Sequence, residues 1–314
     1  MRKQRKEAIE STYKSKDTEE FLDIYFNRPI GFWWATIFRK LNIHPNVVTI
    51  FSIILGIFAA ICFYPDSLCW SIIGMLVLII ANTLDSADGQ LARMTGKKTL
   101  WGRLLDGFAG DIWFFSIYLS IGLRLTSQPI PFGIGHNWGV WIWILMFFSG
   151  IMSHKDQASL ADYYRNIYLK FLHGESELNN SAELHKEQLS TPWSRWFWKI
   201  WLFFYQNYTK RQEHLTPEFQ KFYRLLAIKY GISTPETIKK EFLSRTFPLL
   251  KWTNILTFNT RAIVLFISLL IRQPWLYFIF ELTLLNVAYV YMRVSHERIC
   301  RSISIRIDNE QEST

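Results

Sequence analysis

Residues 85–106 read Asp85-Ser86-Ala87-Asp88-Gly89-Gln90-Leu91-Ala92-Arg93, then eight residues, then Gly102-Arg103-Leu104-Leu105-Asp106. The stretch decides the fold because it sets acidic side chains at the ends of apolar runs: 68–84 upstream and 112–123 downstream hold no charge. Runs of this kind are membrane spans, where carboxylates are costly unless compensated. On a helix Asp85, Asp88, Gly89 and Ala92 stand at spacings of 3, 4 and 7. The two carboxylates therefore project side by side, with room beside them at the small residues. Arg93 ends that face, where its planar fork suits phosphate. On the next segment Gly102, Asp106 and Gly110 are spaced by four, one carboxylate between two gaps. Two such helices packed together would hold divalent cations between Asp85, Asp88 and Asp106, and oxygen ligands select magnesium, manganese or calcium. A metal pair beside small residues and an arginine suits a diphosphate. The competing reading pairs these carboxylates with Arg93, Lys97 or Arg103 inside a helix bundle. It accounts for one acidic residue more easily than for three at this spacing.

The rest of the chain agrees with a membrane setting. Of its 314 residues, 50% are hydrophobic and 17% aromatic, and the net charge is +9. The basic residues lie mainly between the apolar runs, which a soluble nucleic-acid binder would not need. Membrane lipids and anionic substrates fit better, with no nucleic-acid partner. Cys62, Cys69 and Cys300 form no CxxC pair and no zinc-ligand spacing, so they read as small apolar fillers. His44, His173, His185 and His214 show no ligand spacing either. The charged start, Met1-Arg2-Lys3-Gln4-Arg5-Lys6, leads into no apolar core for roughly thirty residues and is not read as a signal peptide.

The fold class expected is all-α: a polytopic membrane protein with six transmembrane helices, an N-terminal interfacial helix and a cytosolic helical insertion between spans four and five. Residues 1–44 form the lead-in and the interfacial helix, whose apolar side carries Phe32, Trp33, Trp34, Ile37 and Phe38. Residues 45–152 hold spans one to four, at 46–64, 68–93, 100–123 and 138–152. Residues 153–251 are the insertion, with a polar loop over 174–190, an aromatic interfacial helix over 193–208, and soluble helices broken near Gly231 and Pro235. Residues 252–314 hold spans five and six, at 255–271 and 275–292, and the tail. Arg and Lys concentrate before span one, at 93–103, through 153–251 and after Met292. The positive-inside rule then makes both termini cytosolic and turns Asp85, Asp88 and Asp106 to that side. No organelle-targeting segment is visible, which points to a bacterial inner membrane.

The stretch resembles the signature of the CDP-alcohol phosphatidyltransferase family, Asp-x2-Asp-Gly-x2-Ala-Arg-x8-Gly-x3-Asp-x3-Asp, and matches it from Asp85 through Asp106, spacer included. Pro45-Asn46-x2-Thr49 is similar to the family's start of span one. The resemblance covers about 30–124 well and 153–251 hardly at all. It implies cleavage of a CDP-linked donor, release of CMP and transfer to an acceptor hydroxyl in phospholipid synthesis. It implies two divalent ions, Mg2+ or Mn2+, on Asp85, Asp88 and Asp106. It further implies a CDP pocket of Gly89, Ala92, Arg93 and Gly102, and a homodimer. CDP-diacylglycerol is the favoured donor; the alternative passes a CDP-linked headgroup to diacylglycerol or a ceramide-like lipid.

The departure is the final Asp, which the family uses as metal ligand and base. Gly110 stands there and the carboxylate is Asp111. A step of five turns a helix by about 500°, which points Asp111 roughly 140° away from Asp106. A π-bulge near Gly107 and Gly110 would return Asp111 to the base and ligand position. Otherwise the base lies elsewhere, with His154 a candidate, or the chain is a degenerate relative that binds without catalysis. His154, Gln157 and Arg165 share a helical face with Ala161 and are candidate contacts to an anionic acceptor; the other reading is a solvated face. A transporter using intramembrane carboxylates is a third class. The carboxylates cluster near span ends, which argues against it.

Overall fold

The computed structural model describes residues 15–312, apart from 98, 132–134, 175–177 and 232–233. Among them the secondary structure is helical, with one isolated bridge between Pro129 and Asn137. The helices are α1 Arg28–Lys40, α2 Pro45–Cys62, α3 Leu68–Thr95, α4 Leu100–Thr126 and α5 Val140–Met146, then α6 Lys155–His173, α7 Ser181–Ser190, α8 Trp196–Leu215, α9 Pro217–Tyr230 and α10 Glu236–Thr246, and finally α11 Leu250–Ile255, α12 Phe258–Leu270, α13 Trp275–Phe280 and α14 Asn286–Glu312. Two π-helical stretches, Phe147–His154 and Glu281–Leu285, follow α5 and α13.

Five helical stretches are long and apolar enough to cross a membrane: Pro45–Cys62, Leu68–Thr95, Gly107–Thr126, Glu236–Leu270 and Trp275–Asn309. They cover spans one to three, five and six. The expected fourth span is helical from Val140, but polar residues from Ser153 onward interrupt it before it reaches span length. Ile50, Ile54, Phe58 and Ile61 on α2 and Phe115 and Leu123 on α4 face outward. An apolar surface of that extent belongs in lipid.

The chain divides into two units. The first comprises residues 15–154 and 258–283. Its core packs Ala59, Phe63, Leu78, Trp113, Ile117 and Ile121 against Leu265, Leu269, Tyr277 and Phe278. Gly56 lets α4 reach α2, because a Cβ there would collide with the Trp113 indole. A smaller cluster sets α1 against the motif helix, with Ala35 on Leu84, Ala87 and Leu91. Gln90 secures the contact by donating to the Arg28 carbonyl at 3.1 Å. At the other end of the bundle Asp66 accepts from Arg124 at 2.6 Å and pairs with Arg272 at 3.0 Å.

The second unit comprises residues 155–257 and 284–312. Pro217–Tyr230 and Glu236–Thr246 are separate helices, with Gly231 at φ +62° between them, as its sequence suggests. The loop expected over 174–190 is a correction: residues 181–190 are the helix α7. Asn180 caps it by accepting from the Ala182 amide at 2.8 Å, and Glu213 accepts from the Ser181 amide at 2.9 Å. A single buried apolar residue, Leu184, is too faint a period to be read from sequence.

Candidate active site

The motif side chains are positioned by three helix ends. α2 begins at Pro45, where His44 Nδ1 accepts from the Asn46 amide at 3.2 Å. α3 ends at Gly96, whose φ of +68° suits a residue without a Cβ. α4 begins at Thr99, whose hydroxyl accepts from the Gly102 amide at 2.9 Å. The start of α4 therefore returns to the start of α2. A Cβ on Gly102 would lie 2.7 Å from Asn46 Oδ1, so glycine lets these two ends meet.

Asp85 and Asp88 occupy adjoining turns near the end of α3. Asp88 is buried, and Oδ2 accepts from the Thr49 hydroxyl of α2. Thr49 is itself buried, which fixes the carboxylate's direction. Asp85 is half-buried. The Arg93 guanidinium folds back over Gly89, where a Cβ would come to 3.4 Å from Nη2. Two carboxylates, a guanidinium and a bare backbone patch thus share one face of α3. This is a hard oxygen donor set with a phosphate-binding group beside it, the chemistry that a magnesium or manganese diphosphate complex needs. The side chain of Asp106 lies outside the described residues.

The π-bulge expected near Gly107 and Gly110 is a correction. α4 is α-helical without interruption from Leu100 to Thr126. Glycine permits a bulge, but nothing here compels one to break the i→i−4 ladder. Asp111 is exposed, and Phe114 and Tyr118 follow it at spacings of 3 and 4. That face of α4 meets His154: the Phe114 ring is centred 4.6 Å from the imidazole, and the Tyr118 hydroxyl is 3.3 Å from Nδ1. The one-residue shift therefore carries the fourth carboxylate to the His154 side of the helix. Gly107 and Gly110 themselves face open space, with nothing within 4 Å of an added Cβ.

His154 belongs to a buried polar network whose hub is Glu281, fully enclosed at the start of the second π-helical stretch. Glu281 accepts from the Ser149 hydroxyl at 2.6 Å, the Tyr277 hydroxyl at 2.8 Å, the Tyr118 hydroxyl and the Arg261 guanidinium. His154 Nδ1 lies 3.0 Å from the same carboxylate. Four segments, α4, the 147–154 stretch, α12 and α13 with its continuation, are pinned at this point. In the sequence Glu281 and Arg261 are lone polar residues in or near spans five and six, and no spacing connects them with His154.

The remaining acceptor candidates lie in the second unit. Gln157 is fully buried and donates to Asn286 Oδ1 at 2.8 Å; Arg165 donates to Asn254 Oδ1 at 3.0 Å. A solvated face is therefore the wrong description of this helix. Helix-to-helix hydrogen bonding accounts for both residues.

Comparison with known proteins gives a family match that includes the motif. Residues 42–156 match the CDP-alcohol phosphatidyltransferase family. An uncharacterized protein of Aquifex aeolicus is 36% identical over 97 residues, which cover 31% of this chain and 48% of that one. The archaetidylinositol phosphate synthase of Pyrococcus horikoshii is 34% identical over 84 residues, 27% of this chain and 43% of that one. The chain thus spans less than half the length of the curated relatives it matches. No solved structure matches it significantly.

Proposed function

We propose that this integral membrane chain, whose residues 42–156 match the CDP-alcohol phosphatidyltransferase family, cleaves a CDP-linked lipid and passes its phosphatidyl group to an alcohol. The observation that carries the reading is the α3 face, where Asp85 and the Thr49-held Asp88 stand beside Arg93 and Gly89. Asp85, Asp88 and Asp106 would hold two divalent ions, Mg2+ or Mn2+; Asp111, turned away from Asp106 on the unbroken α4, is kept for the base role and not as a ligand. When bound, such ions neutralise a diphosphate and stabilise the departing CMP. Arg93 grips a phosphate oxygen with two parallel N–H groups. Gly89 and Ala92 leave the backbone bare for the nucleotide, with Gly102 bringing α4 alongside. The acceptor oxygen bonds to the lipid-side phosphorus, the bond from that phosphorus to the CMP oxygen breaks, and Asp111 takes the hydroxyl proton.

A second reading puts the proton on His154. It is favoured by the unbroken α4, which turns Asp111 toward His154, and by the Glu281 carboxylate beside Nδ1, an arrangement that orients an imidazole. CDP-diacylglycerol is the donor we favour. The name of the Pyrococcus relative, a synthase of archaetidylinositol phosphate, supports a phosphorylated polyol as acceptor. His154 is the acceptor contact we favour, because it lies in the same unit as the motif. We read the protein as a homodimer in a bacterial inner membrane with cytosolic termini and the insertion on the same side.

The test is CMP release by the purified full chain in detergent with Mg2+ or Mn2+. CDP-diacylglycerol and CDP-choline are offered in parallel, and acceptors are added singly. CMP from CDP-diacylglycerol only, dependent on a polar alcohol, is the expected result. CMP from CDP-choline only would support headgroup transfer to a lipid, and none from either donor would leave a non-catalytic relative.

A further inference from the structure

A cluster of donor atoms in the second unit is used by none of this chemistry. Tyr164 stands on α6, and His296, Glu297 and Cys300 stand on α14. Positions 296, 297 and 300 fall within about 100° of one another around a helix. His296 and Cys300 are buried, and the Tyr164 ring stacks on the imidazole with centroids 3.9 Å apart. His296 Nδ1 is 3.6 Å from Cys300 Sγ and 3.9 Å from Glu297 Oε1, and the three ligand atoms lie within 4.8 Å of one another.

Two of the polar atoms here are buried without a hydrogen bond among the described residues: Glu297 Oε1 and the hydroxyl of Tyr164. Burial pushes the Tyr164 phenol well above its usual range, and the Glu297 carboxylate adds to the effect. Buried polar atoms are ordinarily satisfied, so two orphans at one place indicate a missing partner. A cavity of about 10 Å3, the size of one water, is lined by Tyr164 and His296 together with Phe242 and Thr246.

We propose that His296 Nδ1, Glu297 Oε1 and Cys300 Sγ bind a zinc-type divalent ion, with a water in the fourth position under the Tyr164 hydroxyl. The distances fit. With Zn–S near 2.3 Å and Zn–N near 2.05 Å, tetrahedral ligation sets sulfur and nitrogen about 3.6 Å apart. The same geometry sets nitrogen and carboxylate oxygen about 3.3 Å apart, so Glu297 Oε1, at 3.9 Å from Nδ1, must close by about 0.6 Å. The mixture of imidazole, thiolate and carboxylate selects zinc over magnesium or manganese, so this site would be chemically separate from the Asp85–Asp88 face. Cys300 gives up its proton to solvent as the Zn–S bond forms, and His296 stays neutral and coordinates through Nδ1. The bland alternative is a Cys300 S–H donating to His296 within one helix turn, which leaves both orphans as they are.

The full chain, purified in detergent, is loaded with Zn2+ and dialysed against excess Mg2+, and its metal content is measured. In parallel, Co2+ is added to metal-stripped protein. The expected results are about one zinc retained per chain and a thiolate-to-cobalt charge-transfer band with intense visible bands of four-coordinate cobalt. Cys300→Ala should lose the charge-transfer band and the zinc; His296→Gln should lose the zinc; Asp85→Asn should keep both. The wild-type cobalt spectrum needs no variant and so stands even where a substitution prevents folding. Failure of the wild type to hold zinc or to show the band, or zinc held undiminished by the Cys300→Ala/His296→Gln double variant, would overturn the proposal.

Discussion

Glu281→Gln preserves the size of the hub side chain and removes its charge. The carboxylate accepts from Tyr118 and Ser149 on Oε2 and from Tyr277 and Arg261 on Oε1, with His154 Nδ1 beside Oε1 at 3.0 Å. A glutamine offers one oxygen and an NH2 group; with the oxygen toward Tyr277 and Arg261, the Tyr118 and Ser149 hydroxyls can turn to accept from the NH2, so the lost charge is the main change. Arg261, 1% exposed, loses the carboxylate charge that faces it. Breaking a buried ion pair from one side costs about 3–5 kcal/mol, and no solvent screening reduces it here. That corresponds to a fall in Tm on the order of 10 °C for a domain of this size. Removing both charges in Arg261→Gln/Glu281→Gln should recover at least half of the loss, because the isolated cation is gone. Ser149→Ala, which deletes one donor, should cost roughly 1.5 kcal/mol. The assay is the unfolding midpoint of each variant in one detergent, by heat and by SDS titration. A Glu281→Gln shift below about 2 °C, or a double variant worse than the single, would refute the reasoning that this charge pair organises the first unit.

Other expectations follow from the same contacts. Asp88→Asn should lower CMP release at least ~100-fold; Thr49→Val, which only frees the carboxylate, should raise the Mg2+ or Mn2+ needed by roughly 10–100-fold while sparing the saturated rate. Asp111→Asn should abolish transfer and leave CDP-donor binding intact, measured by calorimetry; full activity would assign the proton to another group, and His154→Asn then becomes the deciding variant. Gly56→Ala drives a methyl into the rigid Trp113 indole and should destabilise by about 1–3 kcal/mol. Gly122→Ala meets the flexible end of Met146 and should cost under ~1 kcal/mol in the same unfolding assay.

What could be read before any coordinates was whatever repeats along the chain. Asp85, Asp88, Gly89 and Arg93 are close in sequence, and helical spacing is enough to put them on one face. The break at Gly231 is similarly local. Tyr118, Ser149, His154, Arg261 and Glu281 come from helices that sequence cannot bring together, so each looked like an isolated polar residue. α7 was hidden because a short helix with one buried leucine has almost no apolar period. Between Gly107 and Asp111 the error ran the other way: the sequence allowed a distortion, and a regular helix formed because its own hydrogen bonds were sufficient. Cys300 reads as an apolar filler in the sequence, because a neighbouring His296 and Glu297 make no standard ligand spacing and Tyr164 lies more than 130 residues earlier.

The ties through Asp66 have a mechanical consequence. Arg124 and Arg272 fasten the α2–α3 turn to the ends of α4 and α12, at the opposite end of α3 from Asp85 and Asp88. The far end is held by neutral or single-charge contacts, Thr49 to Asp88 and Gln90 to the Arg28 carbonyl, and so has more freedom to part than the end tied by two arginines. Amide exchange should therefore be slowest around 60–66 and 120–126 and quicken steadily toward 85–111. Compliance of that kind would sit where a long-tailed molecule has to slip between the helices from the side.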